Sequence, residues 1–241
     1  MKRILVAAGL LASCGSSSAT QTETAPMNET QHHEKHEAEG TEVAKHDPAH
    51  VHHFDNPEKY AKNWNSPERA EWQKPGEVIA LMAITPGLTV ADLGAGTGYF
   101  ESYLSAATGP TGKVYALDVE DAMLTWIADN SKKDGLTNVE THKVAFDSTG
   151  LEPNTLDRLL TVNTWHHIEN REAYAKHLFS VIKPGGRVVV VDFTKDAPEG
   201  PPVAMRLEPQ VIIDELKAGG FSAELVTETL PRQYIVVGTK P

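Results

Sequence analysis

From residue 86 onward, short apolar runs alternate with segments of helical period. Runs at 89–93, 113–118, 139–144, 157–163, 186–193, 222–227 and 233–239 predict strands; segments at 99–107, 121–133, 171–182 and 208–218 predict helices. Strands and helices taken in turn predict an α/β fold with a mostly parallel sheet covered on both faces. The unbroken run Val188-Val189-Val190-Val191 fits a strand buried on both sides. The last two runs are joined by a short link containing Pro231, and they predict an antiparallel hairpin at one sheet edge.

The pattern differs upstream. Residues 54–85 predict a preamble of short helices. Asn56-Pro57-Glu58 and Ser66-Pro67-Glu68 each carry a cap residue, Pro in the first turn and an acid; a third helix is expected over 76–84, stopped by Pro86-Gly87. Residues 14–53 are rich in Ser, Thr, Glu, Lys and His and poor in large apolar side chains, so they predict a polar tether without a core. Residues 1–13 have the order of an export signal: basic Lys2 and Arg3, an apolar stretch over Ile4–Ala12, then small residues.

Composition narrows the classes. The 241 residues carry a net charge of -11, which argues against general nucleic-acid binding. Only one cysteine is present, which excludes a disulfide framework and a cysteine zinc site. That cysteine stands in Leu11-Ala12-Ser13-Cys14, which resembles the lipobox of bacterial lipoproteins. The resemblance implies acylation of Cys14, export to the periplasmic face of the envelope and a lipid anchor as the membrane attachment; Gly15 in place of Asp is similar to the pattern that permits outer-membrane sorting. The tether holds His32, His33, His36, His46, His50, His52 and His53. Their irregular spacing fits a solvated tether with loose affinity for zinc, copper or nickel, and no dedicated metal site is expected.

The chemistry concentrates on Val90–Phe100. An apolar strand runs into Gly94, Gly96 and Gly98, and a helix follows at once. Such a junction aims free N–H groups and the positive end of a helix at a ligand. Tyr99 stands where a dinucleotide fingerprint places its third Gly, which disfavours a nicotinamide cofactor. Asp118 ends the next strand, placed to accept from ribose hydroxyls. Phe146 and Asp147 leave the third strand, suited to an adenine ring and its amino group. His166 and His167 follow the fourth strand at the carboxyl edge, where an imidazole can serve as a base.

Asp92-Leu93-Gly94-Ala95-Gly96-Thr97-Gly98, Asp118, Asp147 and Ile182-Lys183-Pro184-Gly185-Gly186 resemble, in this order, the class I S-adenosylmethionine-dependent methyltransferases, in particular the type 11 group. The likeness covers roughly residues 76–241, and Trp72-Gln73-Lys74-Pro75 is similar to sequence-predicted methyltransferases among exported bacterial proteins. It implies a Rossmann-like seven-stranded sheet ordered 3-2-1-4-5-7-6, with the terminal hairpin antiparallel. It also implies that Asp92, Gly94, Ala95 and Gly96 hold the methionine part of the cofactor, Asp118 the ribose, and Val119, Phe146 and Asp147 the adenine, with Asn163 and Trp165 bordering the reacting methyl. Tyr60, Trp72, Gln73 and Arg206 are expected around a small-molecule methyl acceptor. The second reading is a non-catalytic adenosyl-ligand or metal-binding lipoprotein of the envelope.

Overall fold

The computed structural model describes residues 54–241. The expected signal, Cys14 and the histidines of the tether lie outside the described residues. Seven strands form one sheet: β1 (Thr89–Leu93), β2 (Lys113–Asp118), β3 (Val139–Lys143), β4 (Leu156–Val162), β5 (Ile182–Phe193), β6 (Ser222–Leu225) and β7 (Gln233–Thr239). Their order is β3-β2-β1-β4-β5-β7-β6, parallel except that β7 runs antiparallel to both neighbours. This is the Rossmann-like order that the resemblance implied. Helices α1 (Pro57–Trp64), α2 (Arg69–Gln73) and α3 (Pro75–Met82) precede the sheet; α4 (Glu101–Thr108), α5 (Asp121–Lys133), α6 (Arg171–Val181) and α7 (Pro209–Gly219) connect its strands. Among the described residues no helix is long and apolar enough to cross a membrane.

The core divides by strand parity. Val188 and Val190 face Leu178, Ile212 and Leu216 of α6 and α7; Val189 and Val191 face Val78 and Met82 of α3, Phe100 just before α4, and Leu104 of α4. All four valines are fully buried. Successive side chains of a strand point to opposite faces, so an unbroken apolar run is what a doubly covered strand needs.

Several boundaries differ from expectation. Asn56 caps α1 through Lys59 N, as its sequence suggested. After Ser66, tight i→i+3 bonds come first (Arg69 N to Ser66 O, 3.0 Å), and α2 starts only at Arg69. Turns extend the glycine loop through Phe100, so α4 starts at Glu101 rather than at 99. Strand β5 begins at Ile182, four residues before the expected start. Lys183–Gly186 forms an irregularity within it, where the register jumps from Leu156↔Ile182 to Arg158↔Arg187. The N–H of Gly185 donates to Lys240 O at 2.9 Å, so the expected turn is absorbed into the sheet.

Candidate active site

The glycine loop is shaped by its neighbours. The N–H groups of Gly94 and Ala95 donate to Leu117 O at 2.8 and 3.0 Å, drawing the loop over β2. Gly94 has φ +74°, and a Cβ there would lie 2.3 Å from Thr164 Oγ1. Glycine is therefore required by conformation and by space. The N–H of Gly96 donates to Asp118 Oδ2 at 2.8 Å, and that of Glu120 to Asp118 Oδ1 at 2.9 Å. Asp118 thus ties the loop to the start of α5. Its carboxyl is raised above the ordinary range by burial, partly offset by those two N–H groups.

Under the loop lies a group of buried charges. Asp92 is 3% exposed, and burial pushes its carboxyl up to about 7, with Arg69 opposing and Asp118 adding to the shift. Glu101, in the first turn of α4, is held well above the carboxylate range, first by burial and then by Asp92. The Arg69 guanidinium sits 4.0 Å from the centre of the Tyr99 ring and is lowered to about 10 by burial. Three acids against one arginine leave this group negative when ionised.

The preamble covers the loop from above. The Asn65 amide donates to Thr97 O at 3.1 Å and accepts from Thr97 Oγ1 at 2.6 Å. A Cβ on Gly96 would lie 3.4 Å from the Trp64 ring. Tyr60 stacks on Trp64 at 4.7 Å; Phe54 packs against both, and its ring centre is 6.4 Å from that of His167. An aromatic wall thus joins the preamble to the turn after β4.

That turn, Trp165–His167, places the two histidines differently. His166 Nδ1 donates to both oxygens of Asp192, at 3.0 and 2.9 Å, and its side chain is only 2% exposed. Its Nε2 is buried and has no partner among the described residues. Since a carboxylate only accepts, Nδ1 carries the proton, and in the neutral ring Nε2 presents a lone pair. The two histidine rings lie 4.3 Å apart. Asn163, at φ +57°, accepts from Gln233 Nε2 at 2.6 Å; Gln233 accepts from Gln73, and Gln73 from Arg69 at 3.0 Å. This polar chain links α2, β7 and the end of β4.

Phe146 is 60% exposed on the loop after β3, and Asp147 beside it is also exposed. An exposed aromatic at the sheet's carboxyl edge next to a carboxylate suits a planar heterocycle with an amino group. Val119, half-buried, follows Asp118 on the same rim.

Three expected acceptor residues are placed otherwise. Trp165 is fully buried, and its indole N–H donates to Glu215 at 2.8 Å, because the turn folds it inward onto α7. Arg206 is 6% exposed and donates to the carbonyls of Pro201, Thr194, Lys195, Ala197 and Glu199. It therefore shapes the loop after β5 from inside. Gln73 is fully buried within the polar chain. Trp72 packs on Phe193 at 5.9 Å with Arg232 over its ring, at the rim of the same region. Sequence reasoning missed Trp64, Asn65, Arg69, Glu101, Asp192 and Gln233.

The sheet order, the strand-end loop and the acids behind it define a class I S-adenosylmethionine-dependent methyltransferase. Residues 84–220, more than half of the chain, match the methyltransferase-domain family, and the chain belongs to that family. Among solved structures it is similar to a SAM-dependent methyltransferase from Aquifex aeolicus, at 29% identity and TM-score 0.72 over 77% of this chain and 99% of that one. The [4+2]-cyclase SpnF shares the fold, at 18% identity and TM-score 0.60 over 73% of this chain and 83% of that one. Among curated proteins the chain is 33% identical to the ubiquinone/menaquinone biosynthesis C-methyltransferase UbiE of Salmonella arizonae over 118 residues, 48% of this chain and 47% of that protein. The chain thus spans about half the length of the curated relatives it matches.

The residues present fit the cofactor. The loop lacks side chains where the backbone must approach a ligand, and the carboxyl groups of Asp118 and Asp147 at the sheet's carboxyl edge can accept from hydroxyl and amino donors.

Proposed function

We propose that this methyltransferase acts on a small hydroxylated aromatic acceptor, with His166 taking the acceptor's proton and Asp192 positioning the imidazole. The observation that carries the reading is the buried Asp192–His166 pair, whose Nε2 has no partner among the described residues. A buried nitrogen acceptor without a donor is costly, so an arriving O–H or acidified C–H gains a bond there. Acceptors such as tertiary amines or thioethers lose no proton and need no such base. The aromatic wall of Phe54, Tyr60 and Trp64 beside His167 favours a planar ring. The name of the curated relatives, C-methyltransferases of quinone biosynthesis, supports a ring carbon activated by a neighbouring hydroxyl as the accepting atom.

When bound, the cofactor supplies a methyl already activated on a sulfonium. Gly94, Ala95 and Gly96, with Asp92 behind them, hold its methionine part; Asp118 takes the ribose, and Val119, Phe146 and Asp147 the adenine. Asn163, Tyr60 and Trp72 border the acceptor. Covering by the preamble excludes water, so that positioning and desolvation supply much of the acceleration.

The test is transfer of labelled methyl from S-adenosylmethionine by the full chain to hydroquinones, phenols, amines and thiols. Label is expected on hydroquinones or phenols. His166→Asn, which keeps an amide at the Nδ1 position, is expected to lower kcat by roughly 10²–10⁴ with S-adenosylhomocysteine affinity unchanged. Label on amines alone, or full kcat in His166→Asn, refutes the reading. The proposed placement is an exported lipoprotein anchored through Cys14 at the periplasmic face of the envelope, with outer-membrane sorting supported by Gly15. Cys14→Ser is then expected in the soluble fraction, and its retention on membranes would sink the placement.

A further inference from the structure

We propose that the cavity between α4 and α5 binds a small alkylamine, seated on Glu101. The cavity has a volume of about 250 Å³ and is bounded by Thr97, Gly98, Tyr99 and Glu101 on one side and Asn130, Ser131 and Asp134 on the other. It adjoins the glycine loop through Thr97 and Gly98, while Gly94, Gly96, Asp118 and Asp147 do not line it. Its size is below the usual range of drug-sized pockets and suits a ligand of a few heavy atoms.

Glu101 is the second observation. It is 2% exposed, and among the described residues no other residue donates a hydrogen bond to either carboxylate oxygen. A buried carboxyl without donors is among the costlier arrangements a fold can hold. Arg69 does not relieve it: that guanidinium is spent on Trp64 O and Gln73 Oε1 and does not reach the Glu101 oxygens. A partner that brings a donor or takes the proton would relieve it.

The rest of the lining says what kind of donor. Asp134 adds a second carboxylate, exposed at the mouth, and none of the described lining residues is a lysine or arginine. Tyr99, whose ring already carries the Arg69 guanidinium at 4.0 Å, and Tyr103 are among its lining residues, and aromatic rings attract ammonium groups. Two acids at different depths with aromatic walls fit an amine better than a bare ion, and a diamine better than a monoamine. Whether the proton arrives on the carboxyl or on the amine, the bound pair is the same ammonium carboxylate. Because Thr97 and Gly98 belong to both the cavity and the glycine loop, occupancy stiffens the loop that the cofactor uses.

The experiment is calorimetric titration of the full chain with butane-1,4-diamine and with ethylamine, against sodium chloride at equal ionic strength. Saturable binding of the diamine is expected, weakened at least about tenfold by Glu101→Gln, the loss of one hydrogen bond to a charged group. Ser102→Trp, at an exposed position on the mouth, is expected to weaken it as well and keeps the test open if Glu101→Gln does not fold. S-adenosylhomocysteine affinity is expected unchanged in Ser102→Trp. No diamine binding, heat reproduced by sodium chloride, or binding undiminished in both variants would overturn the proposal.

Discussion

Substituting Gly94 by Ala separates two costs that usually arrive together. The backbone there has φ +74°, and the new Cβ would meet Thr164 at 2.3 Å (Oγ1), 2.4 Å (Cγ2) and 2.8 Å (Cβ). Carbon contacts become comfortable near 3.5 Å, so loop and turn must separate by roughly 1 Å. The left-handed conformation alone costs an alanine about 1–2 kcal/mol. Gly135 provides that second number in isolation, because it has φ +70° with nothing within 4 Å of its Cβ position. Gly135→Ala is therefore expected to lose about 1–2 kcal/mol of stability and no cofactor affinity. Gly94→Ala is expected to lose more stability and, since a 1 Å misplacement at a site can cost on the order of 10²-fold, to bind S-adenosylhomocysteine about two orders of magnitude more weakly. Thr164→Ala would leave the 2.8 Å contact in place, so only Thr164→Gly removes all three. The double variant Gly94→Ala/Thr164→Gly is expected to regain most of the affinity and to keep the conformational cost. Thermal denaturation and calorimetry of the four proteins decide the matter. Near-native affinity in Gly94→Ala, or no recovery in the double variant, would show that the loop is not positioned against Thr164.

Three further outcomes follow from the same site. Asp92 holds its proton up to about 7 in the folded protein, mainly through burial, against 3.8 for the free group. The folded state therefore binds that proton more tightly, and stability is expected to be fully present below about pH 4 and to decline toward pH 7, by at most about 4 kcal/mol from this group; a melting temperature that rises over this window, or an unaltered slope in Asp92→Asn, would contradict it. Arg206→Met keeps the buried stem and strips the donors from the loop after β5. A loss of about 2–4 kcal/mol and faster proteolysis within 194–202 are expected, whereas full stability with lost acceptor affinity would mean a direct contact instead. Asp192→Asn is expected to lower kcat at least about tenfold by weakening a charge-assisted bond to His166, with S-adenosylhomocysteine affinity held; a matching loss of cofactor affinity would place Asp192 in the cofactor site.

The sheet was legible because burial and period agree in it. The strands at 89–93, 113–118 and 233–239 match the expected runs, since alternation and apolar content depend only on which face is covered. The start of β5 was hidden because Pro184, Gly185 and Gly186 imitate a turn, while the sheet accommodates them as a bulge. Trp165 and Arg206 defeated sequence reasoning for a common reason: a large amphipathic side chain near a site points inward or outward according to one tertiary partner. Glu215 decides for Trp165, and a ring of carbonyls for Arg206. Asp192 left a signal that passed unread, a charge at the carboxyl end of a four-valine run, where burial is certain and a partner obligatory. Glu101 left another, an acid three residues before Leu104 on the buried stripe of α4. Gln73 and Gln233, 160 residues apart, left none, because uncharged amides pair without any local pattern.

The bond between Gln73 and Gln233 also has a temporal meaning. A chain made from its amino end presents the glycine loop and α2 while β7 has yet to be synthesised. Until Gln233 emerges and β7 inserts between β5 and β6, Gln73 has no partner there, and Asn163 lacks the amide that holds it. The α2 end of the preamble is thus anchored last, whereas Trp64 and Asn65 already have their partners in the glycine loop before β7 is made.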